Sequence, residues 1–210
     1  DALPIFGVVN TLFEAVEKMK TEHAGNETKI SVRDKILLTA HDLFYSTGFR
    51  ATGVDTLIKE AKVTKVTFYR HFPSKSLLIL AYLHYRHEIW INWFEATLRR
   101  HLVEGQTPAD ALSATLYEWF ISPDFHGCAF INASAEAKSE DIESEIKAIC
   151  RDHKIETKKI IALLTKIADE RAVNEIMLLI DGAIIHAQMG METDEVIASL
   201  KRALADLIGG

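Results

Sequence analysis

Two lysines occupy positions where a helix normally carries an acidic residue. Lys65 and Lys75 each follow a hydroxyl residue at the predicted start of a helix, where exposed backbone N–H groups already form a positive pole. A phosphate anion would remove this conflict, because helix N-termini and lysine side chains can bind it jointly. A solvated lysine on a small helical module is the alternative for either residue alone. Together they predict an anion-binding surface, with further donors at Thr52, Thr64, Thr67, Tyr69 and His71.

Charge is distributed unevenly along the chain. Between Lys29 and Lys75, nine basic residues stand against four acidic ones, so this segment carries +5 in a chain whose formal net charge is −6. The remainder therefore carries −11. Such asymmetry is typical of an anion-binding module attached to an acidic body, and it favours nucleic acid as the partner of the basic segment.

Three short predicted helices position the two lysines. The capping box Ser31–Asp34 begins a helix that ends at Gly48, and a second capping box, Thr52–Asp55, begins the next. Thr64 caps a third helix, Lys65–His71. Three short helices within about 45 residues, two of them separated by a tight turn, predict a helix-turn-helix unit.

The rest of the chain predicts further helices and no strand. Ten Gly and four Pro in 210 residues are too few for a turn-rich sandwich or barrel. A short amphipathic helix from Ile5 to Met19 and a polar linker precede the helix-turn-helix unit. The later helices are expected from Lys75 to about Leu102, Thr107 to about Ile121, Cys128 to Ala137, Glu140 to Lys166, Asp169 to Met189 and Thr193 to Ile208. We expect an all-α protein in which the N-terminal three-helix unit is followed by a larger helical domain.

Residues 52–75 resemble the DNA-binding signature of the TetR family of bacterial transcriptional regulators. The most specific part is Phe-Tyr-Arg-His-Phe-Pro-Ser-Lys, which ends at Lys75, and the similarity covers about residues 31–80. The resemblance implies a homodimer that binds a palindromic operator in double-stranded DNA, as a repressor that a small, largely apolar effector releases. It also implies three parts: residues 1–29 as an N-terminal extension, 30–75 as the DNA-binding domain, and 76–210 as the ligand-binding and dimerisation domain.

The resemblance assigns roles within the helix-turn-helix unit. It implies a recognition helix whose exposed face carries Lys65, Val66, Thr67, Tyr69 and Arg70. It implies a phosphate clamp made by Thr52, Thr64, Tyr69, His71 and Lys75. Arg70 is the only guanidinium on this helix, so we expect it to read guanine. The chain departs from the family at Lys62 and Val66, where glycine is frequent, and Lys62 must therefore tolerate the turn conformation.

The predicted C-terminal body is dense in aromatic residues. Ordinary core packing is one interpretation, and a largely apolar pocket with a few polar groups for a small effector is the other. The residues expected to line such a pocket are His87, Trp90, Phe94, Trp119, Phe120, Phe130, Asn132, Glu136, Met177 and His186.

The last two predicted helices carry more apolar residues than a terminal hairpin can bury alone. A two-fold four-helix interface would cover them, which predicts a homodimer. The residues expected in that interface are Val173, Ile176, Ile180, Ile184, Val196, Leu200 and Leu204.

Other functions remain open at this stage. Asp124, His126 and Cys128 could bind zinc but lack a partner pair such as Cys-x-x-Cys, and Cys128 could be a redox sensor or a buried structural residue. A helical enzyme using His126 or Cys128, and an adaptor whose basic segment contacts an acidic protein, are the functional alternatives. We expect no enzyme, no metal and no cofactor. Two cysteines and the absence of a basic leader predict a cytoplasmic protein that does not enter a membrane.

Overall fold

A computed structural model describes residues 31–209, and all regular structure in this range is helical. The α-helices are α1 (Val32–Thr47), α2 (Val54–Glu60), α3 (Lys65–His71), α4 (Lys75–Val103), α5 (Pro108–Phe120), α6 (Ala129–Glu136), α7 (Glu143–Thr165), α8 (Glu170–Gln188) and α9 (Thr193–Gly209), with a 3-10 turn at Ala137–Ser139. The all-α prediction is confirmed for this part of the chain. The predicted helix from Ile5 to Met19, and with it the extension 1–29, lies outside the described residues. None of the described helices is both long enough and apolar enough to span a membrane.

Local capping explains where several helices begin. The hydroxyls of Ser31, Thr64 and Thr107 each accept the backbone N–H of the residue three positions on, at 3.1–3.2 Å. Each satisfies a donor that the first turn of the helix leaves without a partner. The predicted starts of α1, α3 and α5 are therefore confirmed.

The second predicted capping box is wrong. Gly53 is the N-cap residue of α2, and no side chain caps that helix. The Thr52 hydroxyl instead donates to the carbonyl of Gly48 at 2.8 Å and lies 3.0 Å from the Thr47 hydroxyl. Thr52 is 4% exposed because it folds back onto the end of α1, so this side chain presents no donor to a phosphate.

Helix α7 begins three residues later than predicted. The 3-10 turn is followed by further turns, in which Glu140 N–H donates to the Ala137 carbonyl at 2.9 Å and Glu143 N–H donates to the Glu140 carbonyl at 3.3 Å. Glu140 and Asp141 thus precede the helix. The Asp141 carboxylate accepts the Ser76 hydroxyl at 2.8 Å, which ties this segment to the start of α4.

One long helix joins the two parts of the structure. Near its start, α4 packs against α1, where the rings of Tyr82 and Phe44 lie 5.4 Å apart. Further along, Trp90, Trp93 and Phe94 are buried in the body. The boundary predicted at Lys75 falls on the first residue of α4, and the hydrophobic core continues across it without interruption.

The residues predicted to form a dimer interface are buried inside one protomer. Helix α9 packs against α5 and α8, and all seven residues named above are buried within one protomer. Val196 and Leu200 also line a groove between α8 and α9, whereas α5 covers much of the apolar stripe of α9. A different face of these two helices remains uncovered.

Candidate nucleic-acid interface

Helix α3 is anchored by one buried ring and exposes its opposite side. Phe68 is fully buried, and Phe72, just after the helix, is almost fully buried. At helical spacing this places Lys65, Val66, Tyr69 and Arg70 on the outer side, where all four are exposed. Val66 is 72% exposed. The outer side of α3 therefore combines two cations, a phenol and an apolar surface.

The turn before α3 uses a non-glycine residue in the left-handed region. Lys62 has φ +52°, and its N–H donates to the Lys59 carbonyl at 3.1 Å. The next residue, Val63, donates to the Ile58 carbonyl at 3.2 Å. A non-glycine residue adopts this conformation at a cost of roughly 1–2 kcal/mol, so the prediction that Lys62 must tolerate the turn conformation is confirmed.

The two lysines lie at helix N-termini as predicted. Lys65 is the first residue of α3 and Lys75 the first of α4, and neither helix has an acid in its first turn. Apart from α6, every other described α-helix has an acidic residue in its first turn. Neither lysine forms an ion pair within residues 31–209. Each of these helix N-termini therefore places a lysine beside the positive pole of the helix, and no acidic side chain of residues 31–209 pairs with that lysine.

The remaining predicted phosphate donors differ in their availability. The exposed Thr64 hydroxyl caps α3 and donates to the Thr67 hydroxyl at 2.9 Å. His71, Lys75 and Thr67 are half-buried. Thr67 and His71 belong to α3 and Lys75 begins α4, whereas the Thr52 hydroxyl is used inside the fold.

The helix-turn-helix unit is tied to the body by contacts that join residues distant in sequence. The buried Tyr45 hydroxyl on α1 donates to the Gly127 carbonyl at 2.9 Å and accepts the His126 N–H at 3.2 Å. A Glu136 carboxylate oxygen on α6 accepts the Arg50 N–H at 3.0 Å. These bonds frame a cleft of about 410 Å³ between α1 and α6. No sequence pattern signals them, because they join residues more than 80 positions apart.

The aromatic residues predicted to form an effector pocket pack against one another instead. Trp90 stacks on Phe94 with centroids 4.7 Å apart and contacts Trp119 at 5.4 Å, while Phe130 stacks on His153 at 3.7 Å. These rings form a core cluster, and a ligand would have to separate them to enter. The indole N–H groups of Trp90, Trp93 and Trp119 are buried without a hydrogen-bond partner in the described part of the chain.

The other predicted pocket residues are dispersed. Asn132 and Glu136 line the cleft between α1 and α6, whereas His186 lies in a separate groove between α8 and α9. Met177 is buried in the core and Phe120 packs against Phe125. His87 lies beside the Phe130 ring, with its Nε2 3.2 Å from a Glu156 carboxylate oxygen on α7. The prediction of a single pocket lined by all ten residues is therefore wrong.

The potential metal and thiol sites take other arrangements. Residues 31–209 contain no group of three His, Cys, Asp or Glu side chains placed to hold a metal ion. His126 contacts the Tyr45 ring, and Cys128 is buried with its Sγ 3.7 Å from Lys154 Nζ. Burial also raises the pKa of Cys150 to about 12, so this thiol remains protonated at physiological pH.

Comparisons with known proteins identify the helix-turn-helix unit. Residues 36–82 match the family described as "Bacterial regulatory proteins, tetR family". The HTH-type transcriptional regulator YuxN of Bacillus subtilis is 39% identical over 83 residues, which cover 38% of this chain and 26% of that protein. The chain spans 26% to 64% of the length of three curated relatives that it matches.

Solved structures share the whole fold. SCO4454, a TetR-family transcriptional regulator from Streptomyces coelicolor, has a TM-score of 0.75 at 24% identity over 94% of this chain and 97% of that chain. The regulator CifR, solved as a cysteine mutant in complex with 26-base-pair operator DNA, has a TM-score of 0.63 at 18% identity over 81% of this chain and 94% of that chain. The predicted architecture, a helix-turn-helix domain followed by a larger helical domain, is confirmed.

Proposed function

We propose that this protein is a transcriptional regulator that binds double-stranded DNA in a sequence-specific manner, because residues 36–82 match the family described as "Bacterial regulatory proteins, tetR family". The observation that carries the proposal is the outer side of α3, where Lys65, Val66, Tyr69 and Arg70 are exposed together. Lys65 and Lys75 begin α3 and α4, and neither helix has an acid in its first turn. The operator complex of CifR, a protein of the same fold, supports this use of the surface.

The proposed contacts divide into positioning and reading. Lys75 and Thr64 lie at helix N-termini and bind phosphate, with His71 at the edge of the same surface. Arg70 presents the one guanidinium of α3 and reads guanine in the major groove, where a bidentate pair gives about 1–3 kcal/mol of discrimination. Val66 offers methyl groups that pack on the methyl group of thymine. Thr52 has no place in this interface because its hydroxyl is used inside the fold.

We propose a homodimer whose contact face is the outer side of the α8–α9 hairpin. Leu178 is 73% exposed on α8, and nothing lies within 4 Å of the position that a Cβ would take at Gly182. Between α8 and α9 runs a groove of about 480 Å³ that also includes Met191. Two-fold pairing would cover these groups and would present two recognition helices to a palindromic operator.

We further propose that the regulator is a repressor and that a small effector releases it from the operator. Residues 76–210 would hold the dimer contacts and part of the effector site. The hydrogen bonds from Tyr45 and Arg50 to the body support the proposal, because they couple the position of the helix-turn-helix unit to α6 and to the loop before it.

Selection from a random duplex library tests the function. The purified full chain should enrich a palindrome whose half-site centres lie about 10 base pairs apart, one turn of DNA, and should retain it in a gel-shift assay. Binding of equal strength to every duplex would contradict a sequence-specific regulator. Binding to an acidic protein without any retention of DNA would favour the adaptor.

A further inference from the structure

Four buried hydrogen-bond donors of the body lack an acceptor. They are Arg86 Nη2 and the indole Nε1 atoms of Trp90, Trp93 and Trp119, and within residues 31–209 no other buried side-chain nitrogen or oxygen atom is without a hydrogen-bond partner. The four residues are only 2–4% exposed. Buried polar groups in folded proteins almost always have a partner. Because all four atoms carry N–H groups, this part of the structure has a deficit of acceptors.

The four residues lie together, and we call them the donor cluster. The rings of Trp90 and Trp119 are 5.4 Å apart, and Trp93 lies 6.4 Å from Trp90 and 6.5 Å from Trp119. Arg86 precedes Trp90 by one turn of α4, and residues four apart share a face of a helix. A deficit concentrated in one place indicates one ligand with acceptor atoms, since unrelated packing defects would be dispersed.

Arg86 adds a positive charge to this deficit. Its Nη1 donates to His41 Nε2 at 3.3 Å, and its Cζ lies 3.7 Å from the centroid of the Tyr45 ring. No acidic side chain of residues 31–209 forms an ion pair with Arg86. Burial removes the water that would otherwise solvate the charge, so a buried guanidinium needs an anionic partner more than an exposed one does. The donor cluster therefore selects an anion.

The cleft between α1 and α6 leads to the donor cluster. Tyr45 and Phe125 both line this cleft of about 410 Å³. The ring of Phe125 also contacts the ring of Trp119 at 5.3 Å, and Tyr45 contacts Arg86. Phe125 is half-buried in the loop before α6. Displacement of its side chain would therefore open a path from the cleft to the indoles.

We infer that the body binds a small organic carboxylate with an apolar part, and that this anion is the effector of the regulator proposed above. The carboxylate accepts a hydrogen bond from Arg86 Nη2 and pairs with its charge. The apolar part lies between the indole rings, which separate when it enters, and further oxygen atoms of the ligand accept the indole N–H groups. Only the word effector rests on the proposed function, since binding itself is independent of DNA.

Arg86 also links the ligand to the helix-turn-helix unit. It contacts His41 and Tyr45, which both belong to α1, and the Tyr45 hydroxyl donates to the Gly127 carbonyl at 2.9 Å. A carboxylate that draws the guanidinium away from these two residues weakens the contacts that hold α1 against the body. Linkage then requires that operator DNA and the carboxylate weaken each other's binding by the same factor.

Tryptophan fluorescence of the full chain tests the site, because all three tryptophans of the sequence belong to the donor cluster. The probes are 3-phenylpropanoate and its neutral isostere 3-phenylpropanamide, neither of which absorbs at the red edge of the tryptophan band. We expect the wild type to bind the carboxylate at least about tenfold more tightly than the amide, because only the carboxylate pairs with the Arg86 charge. Arg86→Gln should abolish this preference, and Arg86→Lys should retain part of it. Arg151→Gln, at an exposed arginine on α7, is the matched control and should keep the full preference.

Separate outcomes decide the site and the function. Equal affinity of the wild type for both probes would overturn the anion site, and so would the absence of any fluorescence change up to about 10 mM of either probe. An undiminished preference in folded Arg86→Gln would overturn it as well. Trp90→Phe keeps a ring but loses one donor, so carboxylate binding should weaken severalfold, and no change would contradict the indole contact. If 3-phenylpropanoate binds with the expected preference but leaves operator retention unchanged, the site stands and its role as effector site fails.

Discussion

Replacement of Lys75 by alanine tests the proposed phosphate contact quantitatively. Lys75 has no ion-pair partner within residues 31–209, and α4 retains its cap because the Ser74 hydroxyl still accepts the Leu77 N–H at 3.1 Å. The variant should therefore fold with unchanged thermal stability. A homodimer loses two phosphate contacts, one in each protomer, and each contact contributes about 0.9 to the slope of log affinity against log salt concentration.

The expected reduction of the slope is therefore about 1.8. When the salt concentration rises fourfold, from about 50 to 200 mM, the affinity of the wild type for the operator should fall by a factor about twelve times larger than that of Lys75→Ala. Fluorescence anisotropy with a labelled operator measures both slopes. Lys75→Arg should keep the wild-type slope because it keeps the charge, and Lys159→Ala, an exposed lysine on α7, should also keep it. An unchanged slope in Lys75→Ala would refute the phosphate contact.

Three further predictions concern specificity, assembly and pH. Arg70→Ala should relax the preference at one base pair of each half-site at a cost of about 1–3 kcal/mol, measured by competition with single-base operator variants, and undiminished discrimination would contradict the reading of guanine. Leu178→Glu should give a monomer in sedimentation velocity at micromolar concentration without loss of thermal stability, whereas Leu163→Glu, equally exposed on α7, should remain dimeric. Burial holds the pKa of His153 well below its ordinary value, so the unfolded state alone takes up this proton as the pH falls. As the pH falls below about 6.5, the free energy of unfolding of the wild type should decrease more steeply than that of His153→Asn, by up to about 1.4 kcal/mol per pH unit. Urea titrations at several pH values measure both slopes, and parallel pH profiles would show the expectation to be wrong.

Features that depend on neighbouring residues could be predicted from the sequence. The caps at Ser31, Thr64 and Thr107 lie three residues from the groups they bind, so helix starts follow from local spacing. The outer side of α3 follows from helical periodicity once Phe68 is taken as its anchor. The resemblance implies that Lys62 must tolerate a turn conformation, because glycine is frequent at that position in the family, and the positive φ of Lys62 agrees.

Two features could not be predicted from residue type and spacing alone. Thr52 has the type and spacing of a cap, yet its hydroxyl donates to the Gly48 carbonyl at the end of α1 because the chain folds back there. The aromatic residues of the body are compatible with a core and with a pocket. Only the packing of α4 against α5 and α7 brings their rings into contact with one another.

The sequence by itself determined most of the helices, the basic segment and the exposed outer side of α3, because each depends on residues within about one or two helical turns of one another. The tertiary structure alone decided which apolar face of α9 is buried and which carboxylate meets Arg50. An amphipathic pattern specifies that a stripe must be covered but not which helix covers it, and α5 covers this one. The cleft at Glu136 likewise exists only because α6 docks against the end of α1, and no spacing within either helix encodes that contact.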